Sequence, residues 1–380
     1  MIKILYIVST LEKGGPTTQL FNIIKYMDRE KHELHLITLS PEPQNSSWAE
    51  YESLGVHLHS LKLSRLQGVL CATRKVKFLL AKIKPDIIHT HLLRADMVLS
   101  KLKKSTRNIT TVHIFPRDYI SSCGRMVGYM MYACHVSAIR KIGLCVGVSD
   151  AVAGELKNKL KIENVIAIQN GVDTEKYFPS TGSEKKSLRN QLKLPIAGNI
   201  FICSGTLTKR KNPFFIINAW KKKFALDNDN HLVFIGMGNL HGKCVEETKG
   251  CNNIHVIGYV DNVVDYLRAS DYCVSASYCE GLPYAVLEAM ACGLPVLLSD
   301  IEPHKEITVL DSRIGFCYEL DNEENFYHLL DKLINCNIED MVKITLRVIK
   351  KYFSAKKMSE AYQREYKNIF YCGEETKKVC

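Results

Sequence analysis

Several features are missing from this sequence, and each absence removes a class of protein. No stretch approaches the roughly 20 uninterrupted apolar residues that a membrane span requires. The opening residues Met1-Ile2-Lys3-Ile4-Leu5-Tyr6-Ile7-Val8 lack the charged n-region and long apolar h-region of a signal peptide, and read as a buried strand. No lipidation signal is present. The 14 cysteines include no C-x-x-C pair. Cys203, Cys273 and Cys292 sit in apolar runs, where a thiol behaves as a small hydrophobe. Reduced thiols in a cytoplasmic protein are therefore expected, not a disulfide scaffold. No Cys/His cluster has zinc spacing. Asp227-Asn228-Asp229 has the form D-x-D but reads as an exposed loop beside Asn230, so no metal is expected. Internal repeats and low-complexity tracts are also missing.

What is present points to two α/β domains. At 380 residues the chain is about twice the usual domain size. Hydrophobic residues make up 46%, enough for real cores. The net charge of +11 is unevenly spread: residues 1–180 hold 25 Lys and Arg against 15 Asp and Glu, whereas the remainder holds 26 against 25. A solvated surface is the plain reading of a charge run. An asymmetry this marked instead suggests an anionic partner: nucleic acid, acidic lipid or a phosphorylated substrate.

Short apolar runs alternate with helical patterns, the signature of a parallel sheet covered on both faces. Ile2–Val8, Glu33–Thr38, Ile87–His89, Cys145–Val148 and Val165–Ile168 read as strands. Thr17–Tyr26 and the basic segment Ala72–Ile83 read as helices, and residues 119–141 as one long helix. The polar stretch from Pro179 to Lys186 is the best linker candidate. The alternation then restarts with strands at Ile200–Ser204, His231–Ile235, Ile254–Ile257, Tyr272–Ser275 and Pro295–Ser299. Ser354–Phe370 reads as a charged amphipathic helix. The expected division is residues 1–178, a linker at 179–190, and a second domain at 191–355. A final helix, about 356–380, returns to the first domain.

The strongest motif is Glu280-Gly281-Leu282-Pro283-Tyr284-Ala285-Val286-Leu287-Glu288. Pro283 suits the first helical position, because its φ is fixed and no N–H is needed there. The amides of Tyr284 and Ala285 then open the helix at its positive end, an anion site fit for a diphosphate. Glu280 before the helix and Glu288 within it can accept hydrogen bonds from sugar hydroxyls. Ordinary surface glutamates would explain a lone E-x7-E. This helix, however, runs through Ala289-Met290-Ala291-Cys292 to Gly293 and into another buried strand, so solubility does not require acids on it.

The second motif, Lys209-Arg210-Lys211, follows the first strand of the second domain and suits a departing phosphate; a solvated basic turn is an equal alternative. Gly14-Gly15 links the first strand to the first helix and lets the backbone approach a ligand, though a plain tight turn explains it equally well. Gly236-Met237-Gly238-Asn239-Leu240-His241-Gly242 nearly matches G-x-G-x-x-G, with Asp261 after the next strand. Its third glycine is one place late, and the unit opens in mid-domain. It reads as a glycine loop near a nucleotide base.

With these residues in view, the chain resembles the family-four (group 1) retaining glycosyltransferases of the GT-B fold, bacterial surface-polysaccharide type. The resemblance rests on Ile257-Gly258-Tyr259, on Glu280–Glu288, and on the run from Ser299-Asp300 through Glu302-Pro303-His304-Lys305-Glu306-Ile307. Asn170-Gly171-Val172-Asp173, Lys211 and Gly14-Gly15 extend it over nearly the whole chain. It implies two facing Rossmann-like doubly wound domains with a deep interdomain cleft, the donor mainly on the second domain and the acceptor mainly on the first. Glu280 would contact hydroxyls of the donor sugar, Glu288 would hold the nucleotide ribose, and Lys211 would neutralise the diphosphate. Gly15, with Gly14, would meet the phosphates, and Asn170 would join the donor site. His113, in Thr111-Val112-His113-Ile114-Phe115-Pro116, matches a histidine beside the donor sugar. Front-face attack with retention, no metal and no cofactor is the implied chemistry. Two positions depart from the pattern. Thr206 stands where the family often has Arg, five residues before Lys211, with Arg210 at hand to compensate. Pro283 replaces a common Gly and offers no amide, which leaves those of Tyr284 and Ala285.

The expected function is transfer of a sugar from a nucleotide-diphosphate sugar to a hydroxyl of a lipid-linked or glycan acceptor, in surface polysaccharide or glycolipid synthesis. Alternatives are a nucleotide-sugar epimerase of the same architecture, a dinucleotide-binding oxidoreductase using Gly236–Gly242, and a non-catalytic nucleotide-binding protein. Nucleic acid is not the expected partner. The basic half is expected to meet an anionic membrane surface peripherally, through Arg74, Lys75, Lys77, Lys82 and Lys84 and through Lys101, Lys103, Lys104 and Arg107. Phe78, Leu79, Leu80 and Ile83 between them read as core.

Overall fold

The computed structural model describes residues 1–102, 107–225, 227 and 229–375. Lys103 and Lys104, part of the expected basic surface, and Asn228 of the D-x-D lie outside the described residues. The chain divides into two compact units: Met1–Gly171 with the segment from Ala355 onward, and Val172–Ser354.

The first unit is built on strands β1 (Ile2–Val8), β2 (His32–Thr38), β3 (His57–Ser60), β4 (Ile87–His91), β5 (Asn108–Val112), β6 (Leu144–Gly147) and β7 (Val165–Ala167). They form one parallel sheet in the order β3-β2-β1-β4-β5-β6-β7. β1 is nearly all apolar because helices cover both of its faces. One face carries Leu5, Ile7 and Ile37 against Ala72, Val76 and Ile83 of the helix Arg65–Ile83. That helix starts in a capping box: Gln67 N–H donates to Ser64 Oγ at 3.3 Å, and Ser64 N–H donates to Gln67 Oε1 at 3.1 Å. It stops at Lys84, in the left-handed conformation before Pro85. The other face carries Ile4, Tyr6 and Leu34 against Met358, Tyr362 and Tyr366 of the last helix, Ala355–Glu375. This unit therefore closes its core with the end of the chain.

The second unit contains β8 (Asn199–Ser204), β9 (Asn230–Ile235), β10 (Ile254–Gly258), β11 (Tyr272–Ser275), β12 (Val296–Ser299) and β13 (Gly315–Tyr318), in the parallel order β10-β9-β8-β11-β12-β13. Its core is aromatic: Phe201 stacks on Tyr272 at 4.6 Å between centroids and meets Trp220 edge-on. The chain enters and leaves this unit side by side, with Val172 N–H donating to Phe353 C=O at 2.7 Å.

Both sheets are doubly wound in the order 3-2-1-4-5-6, which the first extends with a seventh strand. In such sheets ligands bind beyond the carboxyl ends of the strands, where the order reverses. In the first unit that point lies between β1 and β4, and in the second between β8 and β11.

The structure corrects four expectations. The stretch 179–190, expected as a linker, lies within the second unit and is largely the helix Gly182–Gln191, because Thr181 and Glu184 form a capping box. Residues 119–141 form two helices, Asp118–Cys123 and Arg125–Ile139, broken at Gly124, where φ is 81°. Pro283 is the residue before its helix, in extended conformation, and its C=O accepts from Val286 and Leu287 N–H. Phe78 is 62% exposed, since the core face of its helix runs through Ala72, Val76 and Ile83; Leu79 and Leu80 pack only at the edge of that core.

Candidate active site

The switch point of the second unit gathers the charged residues of two motifs that are far apart in sequence. After β8 the chain turns through a short 3-10 helix, Lys209–Lys211. After β11 it passes Ser277 and Cys279 to reach Glu280. Tyr278 N–H donates to Arg210 C=O at 2.8 Å, and Arg210 Nη1 donates to Cys279 C=O at 2.9 Å, so the two loops are pinned together. Glu280 is then clamped, with Oε1 2.7 Å from Lys211 Nζ and Oε2 2.6 Å from Arg210 Nη1. Only 7% of Glu280 is exposed. Burial alone would raise its carboxyl pKa, but the opposing charges of Lys211 and then Arg210 outweigh it and hold the group at about 2. Two cations and one carboxylate leave the cluster net positive. Ser204, Gly205, Lys211, Ser275 and Ala276 line a pocket at the same place.

The helix Tyr284–Ala291 begins just beyond, which puts the amides of Tyr284 and Ala285 in its first turn. Glu288 lies more than a turn inside. Burial pushes its carboxyl up to about 7, against the pull of a hydrogen bond from Tyr177. Tyr177 is itself buried and well above the usual phenol range. The two glutamates of one motif thus reach opposite states, Glu280 charged and Glu288 poised near neutrality. Pattern reading did not single out Tyr177 or His304. His304 is fully buried, with Nδ1 2.9 Å from Ser299 C=O, and burial lowers its pKa to about 4 although the charge of Glu280 opposes this. Its signal was its place in the Ser299–Ile307 run, which carried no chemical reading.

The glycine loop after β9 presses on a neighbouring loop. A Cβ on Gly236 would come within 2.2 Å of Gly205 C=O, and one on Gly238 within 2.2 Å of Leu207 C=O. Leu207 N–H donates to Met237 C=O at 3.0 Å. These glycines serve close backbone packing. In the observed order β8 is the first strand of the sheet and β9 the second, whereas a dinucleotide fingerprint follows the first. Asp261, the candidate ribose ligand of that reading, is exposed and accepts from Tyr259 Oη at 2.8 Å. Asp227 of the D-x-D accepts from Asn230 Nδ2 at 2.8 Å and organises its own turn.

In the first unit, Gly14 and Gly15 follow β1 at that sheet's switch point. A Cβ on Gly14 would meet nothing within 4 Å, so internal packing does not demand glycine there. His113 follows β5 and is 9% exposed, with Nε2 3.0 Å from Nδ1 of the buried His91. Burial holds His113 at about 3, so its imidazole is neutral at physiological pH. Asn170 is also buried, and its Oδ1 accepts from Gln19 Nε2 at 2.9 Å; the structure gives this side chain an internal partner.

Comparison with known proteins agrees with this geometry. Residues 13–176 match the family model of Glycosyltransferase Family 4, and residues 184–351 match that of glycosyl transferases group 1. Sucrose-phosphate synthase from Thermosynechococcus elongatus has the same fold, with a TM-score of 0.83 at 16% identity over 98% of this chain and 100% of that one. HepE from Anabaena, solved with UDP, gives 0.78 at 16% identity over 97% and 100%. Two parallel-sheet α/β units of this kind make up the GT-B fold. The two models together span most of the sequence, and the chain belongs to the group 1, family-four glycosyltransferases. Its relatives include the capsular polysaccharide biosynthesis glycosyltransferase CapH of Staphylococcus aureus, 28% identical over 84% of this chain and 87% of that protein. Another is the UDP-Gal:alpha-D-GlcNAc-diphosphoundecaprenol alpha-1,3-galactosyltransferase of Escherichia coli, 26% identical over 68% and 70%.

Proposed function

We propose that this glycosyltransferase moves a hexose from a nucleoside diphosphate sugar to a hydroxyl of a lipid-linked acceptor in surface polysaccharide or glycolipid synthesis, with retention and without a metal. The observation that carries the reading is Glu280 clamped by Lys211 and Arg210 at the switch point of the second sheet. A net positive cluster held rigidly in a low-dielectric site suits the charge that develops on a departing diphosphate. It does locally what a divalent ion would do. The carboxylate orients both cations and keeps lone pairs for sugar hydroxyls. The first-turn amides of Tyr284 and Ala285 add the positive end of a helix. Glu288, next to Tyr177, holds the ribose. In the first unit Gly14 and Gly15 meet phosphate, and neutral His113 hydrogen-bonds the sugar without transferring a proton. The leaving phosphate oxygen takes the acceptor proton. The roles of the CapH and undecaprenol-linked relatives support the acceptor class.

The reading includes a peripheral membrane contact through the helix Arg65–Ile83. Leu66, Val69, Leu70 and Phe78 are exposed on it, beside the exposed cations Arg74, Lys75, Lys77 and Lys82. Among the described residues no helix is long and apolar enough to cross a membrane. Each cation near an anionic surface contributes about 1 kcal/mol, and the exposed apolar residues add shallow insertion.

The test is a transfer assay with UDP-hexoses and a polyprenyl-diphosphate sugar acceptor, with and without EDTA and with anionic or neutral vesicles. Transfer that persists in EDTA, with an axial or equatorial product matching the donor anomer, is expected. Donor hydrolysis or epimerisation without transfer, or loss of transfer in EDTA, would overturn the reading.

A further inference from the structure

The edge of the first sheet holds a cluster that glycosyl transfer does not use. β2 and β3 pair in parallel with His35 opposite His57 and Ile37 opposite His59, and β1 sets Lys3 opposite Glu33. Side chains two apart on a strand share a face. Glu33, His35, His57 and His59 therefore gather on one face of two adjacent strands. The His35 ring stacks on His57 at 4.7 Å and on His59 at 5.7 Å between centroids. His35 Nε2 lies 2.8 Å from Glu33 Oε1, and His35 Nδ1 lies 3.3 Å from His59 Nε2. One ligand atom each from Glu33, His35 and His57 falls within 4.8 Å of the others.

We propose that Glu33, His35 and His57 form a binding site for a divalent transition ion of the zinc class, with His59 as the outer partner of His35. The donor set is imidazole and carboxylate with no thiolate, which suits Zn2+, Co2+, Ni2+ and Cu2+ and not Ca2+ or Mg2+. The His35–His59 contact is the arrangement metal-binding histidines use, one ring nitrogen on the ion and the other donating to a neighbour. Binding at Nε2 takes the neutral His35 ring to its Nδ1–H tautomer, so the proton that faced Glu33 is carried at Nδ1 and donated to His59 Nε2, with no net proton released. Lys3 Nζ sits 3.0 Å from Glu33 Oε1, so the ion competes with an ammonium for part of the carboxylate. The ion would tie the short edge strand β3, which among the described residues pairs only with β2, to its neighbour. The site stands on the β2–β3 edge of the sheet, and its role is stabilisation of that edge.

The full chain, stripped of metal, is titrated with Co2+ and followed by visible absorption, with Zn2+ as competitor. One equivalent should give d–d bands without an intense thiolate charge-transfer band, and Zn2+ should raise Tm. His57→Ala, at an exposed position, should leave circular dichroism and the metal-free Tm unchanged, weaken Co2+ binding by about tenfold or more, and abolish the rise in Tm. Glu33→Gln should weaken binding similarly. Wild-type affinity in both variants, or a thiolate spectrum that places the ion on cysteines, overturns the proposal.

Discussion

The two sheets share one strand order and bury different chemistry. The first unit buries polar groups on both faces of its sheet. His89 lies 2.7 Å from Tyr366 Oη and 2.8 Å from Thr111 Oγ1, and Asp96 accepts from Thr90 and Thr110 and meets His135 at 2.9 Å. The layer next to β8 in the second unit is Phe201, Trp220, Tyr272 and Phe234, and buried ion pairs lie at the strand ends, Glu280 with Lys211 and Arg210 beyond one end of β11 and Arg189 with Asp271 before the other. Topology fixes where a site can form. On the proposed function, the charge at the second unit's switch point serves neutralisation of the diphosphate, and the uncharged His113 of the first serves hydrogen bonding.

The sharpest way to break this contrast is at Lys211. Lys211→Ala should lower turnover by about 100-fold or more. It should also cost stability on the order of 3–5 kcal/mol, because a buried carboxylate loses a partner. Arg210→Ala should do less, since the Arg210 side chain is 36% exposed against 16% for Lys211. Steady-state kinetics and thermal melts of the two variants decide, and the reverse order would exchange the roles of the cations. Glu280→Gln should raise the barrier to transfer by roughly 1.5–3 kcal/mol while sparing nucleotide affinity; near-normal turnover would remove Glu280 from the chemistry.

Glu280 and Glu288 also bear opposite pH signatures. Glu280 titrates near 2 when folded against an ordinary value of 4.5, so its stabilisation is full above 4.5 and is lost as pH falls toward 2. Glu288 titrates near 7, so the folded chain loses stability as pH rises from 4.5 through 7 and levels off above. Nucleotide affinity should strengthen as pH rises through 7, when Glu288 becomes a charged acceptor for ribose hydroxyls. Glu288→Gln should flatten both dependences near 7; an unchanged affinity profile in calorimetric titrations would place the ribose elsewhere.

In the first unit the expected effects are smaller. His91→Phe removes the partner of His113 and should lower turnover about fivefold, the worth of one neutral hydrogen bond of roughly 1 kcal/mol, with little change in nucleotide affinity. An equal loss in affinity would mean that His91 supports the fold and not the position of His113. On the basic helix, Phe78→Ser should change stability by no more than about 0.5 kcal/mol, as an exposed position should. Val76→Ala, at a fully buried one, should cost about 0.5–3 kcal/mol. Equal costs in thermal melts would return Phe78 to the core.

The central strands were legible because a strand covered on both faces must be an apolar run, as in Ile2–Val8 and Tyr272–Ser275. The polar strands were not. His57-Leu58-His59-Ser60 lies at a sheet edge, and Asn108–Val112 carries buried threonines satisfied only by Asp96 and by a network reaching Tyr362 from the far end of the chain. The break at Gly124 was hidden because Gly128, four residues on, stays helical; its missing Cβ makes room for Tyr119 C=O, 2.2 Å from where that atom would lie. The Glu280–Glu288 block showed its acids and its helix. Which cations meet Glu280, and that Tyr177 meets Glu288, depend on strand order and could not be read along the chain.

The helix Ala355–Glu375 gives synthesis of this protein an unusual sequence of events. On a ribosome, domains generally fold as units from the N-terminus onward. Here the strands of the first sheet emerge early, yet Ile4, Tyr6, His89 and Thr111 lack part of their cover until Met358, Tyr362 and Tyr366 have left the exit tunnel. The second unit, ending at Ser354, is complete before then. The half of the molecule made first is finished last, and until then part of its sheet face waits for its cover.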